Sequence, residues 1–309
     1  MQTTTQKRGL PQWLLAALAC LLVALSACSS QSEAASHVIN VSGSTSVSPF
    51  AEHLAELYQK QHAGESVNVQ SLGSTAGIQA ALQGVAEIGM SSRELKAEEA
   101  EKLDELVIAR DALAVVIHPS NPITNLSQVQ VQGIFSGTIT NWSELGGANK
   151  TIVLVVREAG SGTAGAFDEL VMKGIHITPN ALRQGSNGAI RQVVSDDPNA
   201  VGYISLGIVD STVKAVAINN VTPSVEHVLA KTYKFVRPFL FVWPKGSPLN
   251  TLAQSYVDYV MSQEAQDELT KLGLVPGGAI GLTTKITKKA QRTRSCFQIF
   301  VCFVSFVVK

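Results

Sequence analysis

One arrangement recurs along the chain and restricts its fold: a short apolar stretch runs into a loop of Ser, Thr and Gly, and that loop opens a helical pattern. Val38-Ile39-Asn40-Val41 is followed by SGSTSVSPF and by a helix with Phe50, Leu54, Leu57 and Tyr58 on one face. Val67-Asn68-Val69 leads through LGSTAG into a helix over 78–82. Glu87-Ile88-Gly89-Met90 leads into SSREL and a charged helix in AEEAEKLDEL, and a fourth strand over 112–117 ends at His118-Pro119. The pattern then restarts. VQVQGIFSG predicts a short helix, 151–156 a strand, and REAGSGTAG a turn into another helix. SNGAIRQVV predicts a further helix, Val201-Gly202-Tyr203-Ile204 and 239–243 two strands, and 252–272 a C-terminal helix. Such alternation predicts an α/β protein with a mostly parallel sheet. The restart predicts two lobes, with the strands near 111–117 and 235–241 crossing between them.

The formal charge of zero over 309 residues conceals an uneven distribution. Lys7 and Arg8 precede an apolar run, and the tail over 285–309 holds six Lys/Arg and no acid. The remaining body has sixteen basic against 24 acidic residues. An acidic body argues against nucleic acid as a partner. Any anion it binds must be held by local groups against the overall field.

The N-terminus reads as an export signal over 1–28: a basic start, WLLAALACLLVALSA, then Cys28 and the polar linker SSQSEAAS over 29–36. Leu25-Ser26-Ala27-Cys28 resembles the bacterial lipoprotein box, whose Cys is acylated and anchors the mature protein to the cell membrane. An ordinary cleaved signal ending near a small residue is the alternative. Cys20 lies in the signal, and Cys296 and Cys302 lie in the tail, so the body contains no cysteine for a disulfide or a thiolate metal site. The apolar part of the tail, about 13 residues from Cys296 to Val308, is short for a membrane span. The tail is abruptly unlike the body, and no function is read from it.

The loops SGSTSVSP, LGSTAG, REAGSGTAG and, more weakly, GSNGA share a chemistry. Each helix start exposes unpaired N–H groups and partial positive charge, with hydroxyl donors beside them. In open α/β sheets such loops gather at the carboxyl edge of the strands, where ligands bind. Together with Arg157 they describe an oxyanion site built mainly from dipoles. Any one loop by itself reads as an ordinary Ser/Thr helix cap. Gly160, Gly162 and Gly165 do fall at G-x-G-x-x-G spacing. A dinucleotide site also needs an acid about twenty residues further on. That region reads GIHITPNALRQGSNG, which has none.

These loops carry a resemblance. V-S-G-S-T-S-V-S-P, G-S-T-A-G-I, I-G-M-S-S-R-E-L, I-F-S-G-T-I-T-N-W-S-E-L-G-G, R-E-A-G-S-G-T and V-G-Y-I-S-L-G resemble the phosphate-binding lipoproteins of bacterial ABC phosphate transporters, over about residues 39–276. The resemblance implies the two-lobed type II periplasmic-binding-protein fold, each lobe a mixed sheet flanked by helices, with two crossover strands as a hinge. It places one lobe at 37–112 and 238–284, the other at 113–237, and leaves 285–309 as an atypical tail. The implied phosphate-binding residues are Thr45, Ser46, Ser74, Ser92, Arg157, Ser161, Gly162 and Thr163. The family's carboxylate acceptor for the phosphate proton corresponds here to Ser92, and Asp111 is the residue that could replace it; its alternative reading is an exposed charge beside Arg110. The implied partners are inorganic phosphate and the membrane subunits of an ABC permease, for a monomer lipid-anchored through Cys28 on the extracytoplasmic side, with no cofactor or metal.

Sulfate or molybdate is the alternative ligand, since Ser92 repels an unprotonated anion less than a carboxylate does. A phosphate sensor or adhesin is a further alternative. An enzyme is not expected: the six His show no metal-binding spacing and no G-x-S-x-G elbow occurs.

Overall fold

The computed structural model describes residues 37–278. The expected signal over 1–28 with Cys28, the linker over 29–36, the segment 279–284 and the tail over 285–309 lie outside the described residues. Among the described residues no helix is long and apolar enough to cross a membrane.

The elements follow in the order β1 (Val38–Gly43), α1 (Ser48–Gln61), β2 (Ser66–Ser71), α2 (Ser74–Leu82), β3 (Ile88–Ser91), β4 (Leu103–Ile117), α3 (Gln128–Ser136), β5 (Val153–Arg157), α4 (Gly162–Phe167), β6 (Leu182–Gln184), α5 (Asn187–Asp196), β7 (Ala200–Ser205), β8 (Val236–Pro244), α6 (Thr251–Val260) and α7 (Gln263–Lys271). These strands lie side by side as β2-β1-β3-β8-β4-β7-β5-β6. β1 runs parallel to β2 and β3, and β5 runs parallel to β6 and β7. β8 is antiparallel to β3 and β4, and β4 is antiparallel to β7. The sheet is therefore mixed, as the resemblance implies, rather than mostly parallel as the alternation alone predicts, and the antiparallel strands are the two long ones at its centre.

β4 is shared between the halves. Its residues from Leu103 to Ala112 pair with β8, and those from Leu113 to Ile117 pair with β7. One apolar core gathers Ile39, Phe50, Leu54, Tyr58, Ile108, Phe239, Phe241 and Leu269. A second gathers Leu113, Val115, Phe135, Trp142, Phe167, Tyr203 and Phe235. β4 passes from the first core to the second between Ala109 and Ala112. Within the second core Phe167 stacks on Tyr203 with ring centres 3.8 Å apart, which fixes the end of α4 over β7. Trp142 is buried there, and its Nε1 donates to the Asn199 carbonyl at 2.9 Å.

Two expected helices end differently. AEEAEKLDEL is helical only at Ala97–Ala100, and β4 begins at Leu103. Pairing with Pro244, Trp243 and Val242 of β8 holds this acid-rich segment extended despite its helix-favouring residues. The C-terminal helix is broken into α6 and α7 at Ser262, whose side chain accepts from the Ala265 N–H and starts a new helix. The close approach of α2 to β1 depends on Gly77, where an added Cβ would lie 2.4 Å from the Gly43 Cα.

Candidate functional site: a buried hydroxyl and arginine cluster

The carboxyl ends of β1, β2 and β3 deliver three loops to one place. After β1, Ser44 organises a turn in which the Val47 and Ser48 N–H groups donate to its carbonyl and the Ser46 N–H to its Oγ. After β2, Gly73 and Ser74 open α2. After β3, Ser91 Oγ donates to the Arg93 carbonyl, which turns the chain and leaves Ser92 facing Ser74. The Ser92 N–H donates to Ser74 Oγ at 3.1 Å, and the two hydroxyl oxygens are 3.4 Å apart.

The second half brings the Arg157–Thr163 turn against these loops. The Thr75 N–H donates to the Gly160 carbonyl at 3.1 Å. Ser46 Oγ and Thr163 Oγ1 are 2.7 Å apart. At Gly162 the contact is closest: an added Cβ would lie 2.1 Å from Ser74 Oγ and 2.6 Å from Ser92 Oγ, so only glycine fits. Ser161 plays a local role, since its Oγ accepts from the Ala164 N–H and caps α4. Among the described residues, the backbone N–H groups of Thr45, Ser74, Gly162 and Thr163 find no acceptor. Hydroxyls and free N–H groups gathered out of water have the chemistry to hold an anion.

The charges arrive separately. Arg157 is buried at the end of β5; its Nε and Nη2 donate to the Gln184 and Gly185 carbonyls at 3.2 and 2.7 Å. This guanidinium is thus oriented by backbone oxygen, and among the described residues no carboxylate forms an ion pair with it, the Glu158 charge acting only from farther away. Burial first, and the nearby charge of Arg237 after it, lower its pKa to about 10, which leaves it protonated at neutral pH. A second buried cation, Arg237, lies on β8 directly opposite Asp111 of β4. Its Nε donates to Asp111 Oδ2 at 2.9 Å, and its Nη1 donates to Thr163 Oγ1 at 2.8 Å and to the Ser92 carbonyl at 3.3 Å. Asp111 is buried, and Oδ1 accepts from Ser205 Oγ at 2.8 Å. Burial pushes the Asp111 carboxyl up and the Arg237 guanidinium down, and each charge opposes the shift of the other.

The structure thus brings Ser46, Ser74, Ser92, Gly162 and Thr163 into direct contact. Thr45 stands at the edge, 3.5 Å from the Asn187 side chain. Asp111 is neither exposed nor paired with Arg110; its oxygens are committed to Arg237 and Ser205, and it reaches the cluster only through Arg237. Reasoning from the sequence missed two residues. Arg237 carried a signal, a cation inside the apolar run KFVRPFLFVW, where a buried charge demands a partner. Asn187, in the weakest of the glycine loops, is fully buried and donates to Ser46 Oγ at 2.7 Å. Among the described residues no group of three or more His, Cys, Asp or Glu is placed to hold a metal ion.

Comparison with known proteins decides the family. A model described as a PBP superfamily domain matches residues 29–264. The chain belongs to the PBP superfamily. A structure from Clostridium perfringens, described as a phosphate ABC transporter substrate-binding protein with bound phosphate, is 42% identical, with a TM-score of 0.75 over 77% of this chain and 99% of that one. An ABC-type phosphate transport receptor from Vibrio cholerae is 37% identical, with a TM-score of 0.65 over 77% of this chain and 99% of its own. The phosphate-binding protein PstS of Bacillus subtilis is 29% identical over 251 residues, 79% of this chain and 82% of the relative. The type II two-lobed fold of the superfamily accounts for the crossing strands β4 and β8 and for a site where the loops of both halves meet.

Proposed function

We propose that this protein captures inorganic phosphate between its two lobes and delivers it to an ABC permease. The observation that carries the reading is the meeting of Ser46, Ser74 and Ser92 with Gly162 and Thr163 against the buried Arg237, near a second buried arginine, Arg157, that among the described residues is ion-paired to no carboxylate. The relatives named for phosphate binding supply the ligand. In this reading Thr45, Ser46, Ser74, Ser161, Gly162 and Thr163 offer N–H and O–H donors, Arg157 supplies charge, and Ser92 Oγ accepts the phosphate proton. Asp111 acts at one remove by holding Arg237. The division into lobes at 37–112 with 238–284, and at 113–237, belongs to the same proposal, with opening of the lobes releasing the anion.

Magnitudes are sufficient. A micromolar affinity is about −8 kcal/mol. Hydrogen bonds to a charged group contribute about 1.5–3 kcal/mol each, against the desolvation of the anion and the ordering of the cleft. The sequence around Cys28 supports a lipid anchor on the outer side of the cell membrane, and in this reading the protein acts as a monomer. The serines of the cluster bond to one another, to Asn187 and to Thr163, which supports a binding role. A second reading, sulfate or molybdate as ligand, is favoured by Ser92, which stands where a carboxylate would exclude an unprotonated anion. Calorimetric titration with phosphate, sulfate and molybdate tests both. Micromolar phosphate binding with far weaker sulfate is the expected result, and absence of phosphate binding would overturn the reading.

A further inference from the structure

The geometry points to Asn187 as a positioning residue that fills an acceptor site on Ser46, so that the Ser46–Thr163 hydroxyl pair faces the ligand as a proton donor. This inference rests on the anion-binding reading above. The orientation of the Asn187 amide follows from its surroundings. The buried Ser205 N–H requires an acceptor and lies 3.2 Å from Oδ1, so Nδ2 faces the other way. It donates to Ser46 Oγ at 2.7 Å. The opposite orientation would set an amide N–H against the Ser205 N–H and leave both donors unpaired in the interior.

At the other end of the pair, Arg237 Nη1 lies 2.8 Å from Thr163 Oγ1, and a guanidinium can only donate. Each hydroxyl has one proton and two lone pairs. Ser46 and Thr163 thus hold two protons between them, and one is used in their mutual bond at 2.7 Å. If Thr163 donates to Ser46, then Ser46 accepts twice and keeps its own proton. If Ser46 donates to Thr163, then Thr163 accepts twice and keeps its own proton. In either case the hydroxyl left with a proton already accepts two bonds, which polarises it as a donor. The pair therefore faces the ligand as a donor that wants an unprotonated oxygen. Ser92 differs, since among the described residues no N–H donates to its Oγ, and it stays able to accept. The proton-bearing oxygen of the anion then lies on the Ser74–Ser92 side, and its bare oxygens lie toward Ser46 and Thr163.

The full chain, titrated with inorganic phosphate in a calorimeter, tests this with two variants and a cycle. Asn187→Asp keeps the acceptor for the Ser205 N–H but turns the donor facing Ser46 into an acceptor, whereas Asn187→Ala removes both. Asn187→Ala is expected to weaken phosphate binding about 10-fold, and Asn187→Asp at least about 10-fold further. Binding by Asn187→Asp equal to or tighter than by Asn187→Ala overturns the inference. The cycle with Ser46→Ala decides the matter if the Asp variant fails to fold. Acting through Ser46, Asn187→Ala adds less than about 2-fold in the Ser46→Ala background; two losses that simply multiply overturn the role. Failure of wild-type protein to bind phosphate strikes the anion reading itself, and is thereby distinguished from failure of Asn187 alone.

Discussion

The two halves of the sheet meet at the cluster with unequal chemistry. The half carrying β1, β2 and β3 presents Ser46, Ser74, Ser92 and free N–H groups. Its nearest arginine, Arg93, is turned away onto Glu99, with Nη1 and Nη2 at 2.7 and 2.9 Å from the carboxylate. The half carrying β5, β6 and β7 presents Arg157, Gly162, Thr163 and Asn187, and the crossing strands add the Arg237–Asp111 pair. Dipoles thus come from both sides, since Gly162 and Thr163 add free N–H groups, while charge comes only from the second half and from the hinge. The first half alone offers an anion dipoles without charge. In the proposed function, closing the lobes and completing the ligand shell are the same event, which lets release follow from opening.

Removing the charge should break this complementarity most severely. Arg157→Ala is expected to weaken phosphate binding about a thousandfold, as for the loss of two charge-assisted hydrogen bonds. A melting curve without ligand must accompany the titration, because Arg157 also ties the Gln184 and Gly185 carbonyls. Next in size, a side chain placed where the halves touch should hold them apart. Gly162→Ala introduces a Cβ 2.1 Å from Ser74 Oγ, and it is expected to cost about 100-fold in phosphate affinity. The clash crosses the cleft, so the ligand-free melting temperature should hold, and small-angle scattering with phosphate should report an open form.

A smaller change separates the roles of the hydroxyls. Ser92→Ala is expected to narrow the phosphate-over-sulfate preference about 10-fold, chiefly by weakening phosphate, as measured by competition. If both anions weaken equally, Ser92 is a general donor and the acceptor lies elsewhere. The smallest effect on binding belongs to the arginine turned away. Glu99→Gln should leave phosphate affinity within about 2-fold while lowering thermal stability, as for a buried pair that loses one charge. Hydrogen bonding from Arg93 holds the Glu99 carboxyl below its ordinary value. Its contribution is thus present above the ordinary carboxylate pKa and lost as pH falls through the lowered one, and the melting temperatures of wild type and Glu99→Gln should converge in acid.

Much of the fold was legible because local patterns carry it. Apolar runs of four to six residues and polar glycine loops mark β1 to β3 and β5, and the one-sided apolar face of α1 marks a helix on a core. The start of β4 was not legible: Leu103 to Glu105 favours a helix on its own, and only pairing to β8 holds it extended. For the same reason the sheet turned out mixed, since strand direction is set by partners distant in sequence.

In the candidate site, the donor-rich loops were legible because hydroxyls and glycines at strand-to-helix turns have a chemistry readable from neighbours alone, whereas Ser46, Ser74, Gly162 and Thr163 were singled out within them by the family resemblance. Asn187 and the Arg237–Asp111 pair were not legible, because their roles depend on atoms about 20 to 140 positions away in the chain. The sequence by itself determined which loops could offer donors and which strands would carry them. Only the tertiary structure decided which buried arginine was held by backbone oxygen, which was paired to a carboxylate, and which way each buried amide pointed. Hydrogen-bond direction and charge pairing are settled by what lies within about 3 Å in space, and the order of residues along a chain does not specify that distance.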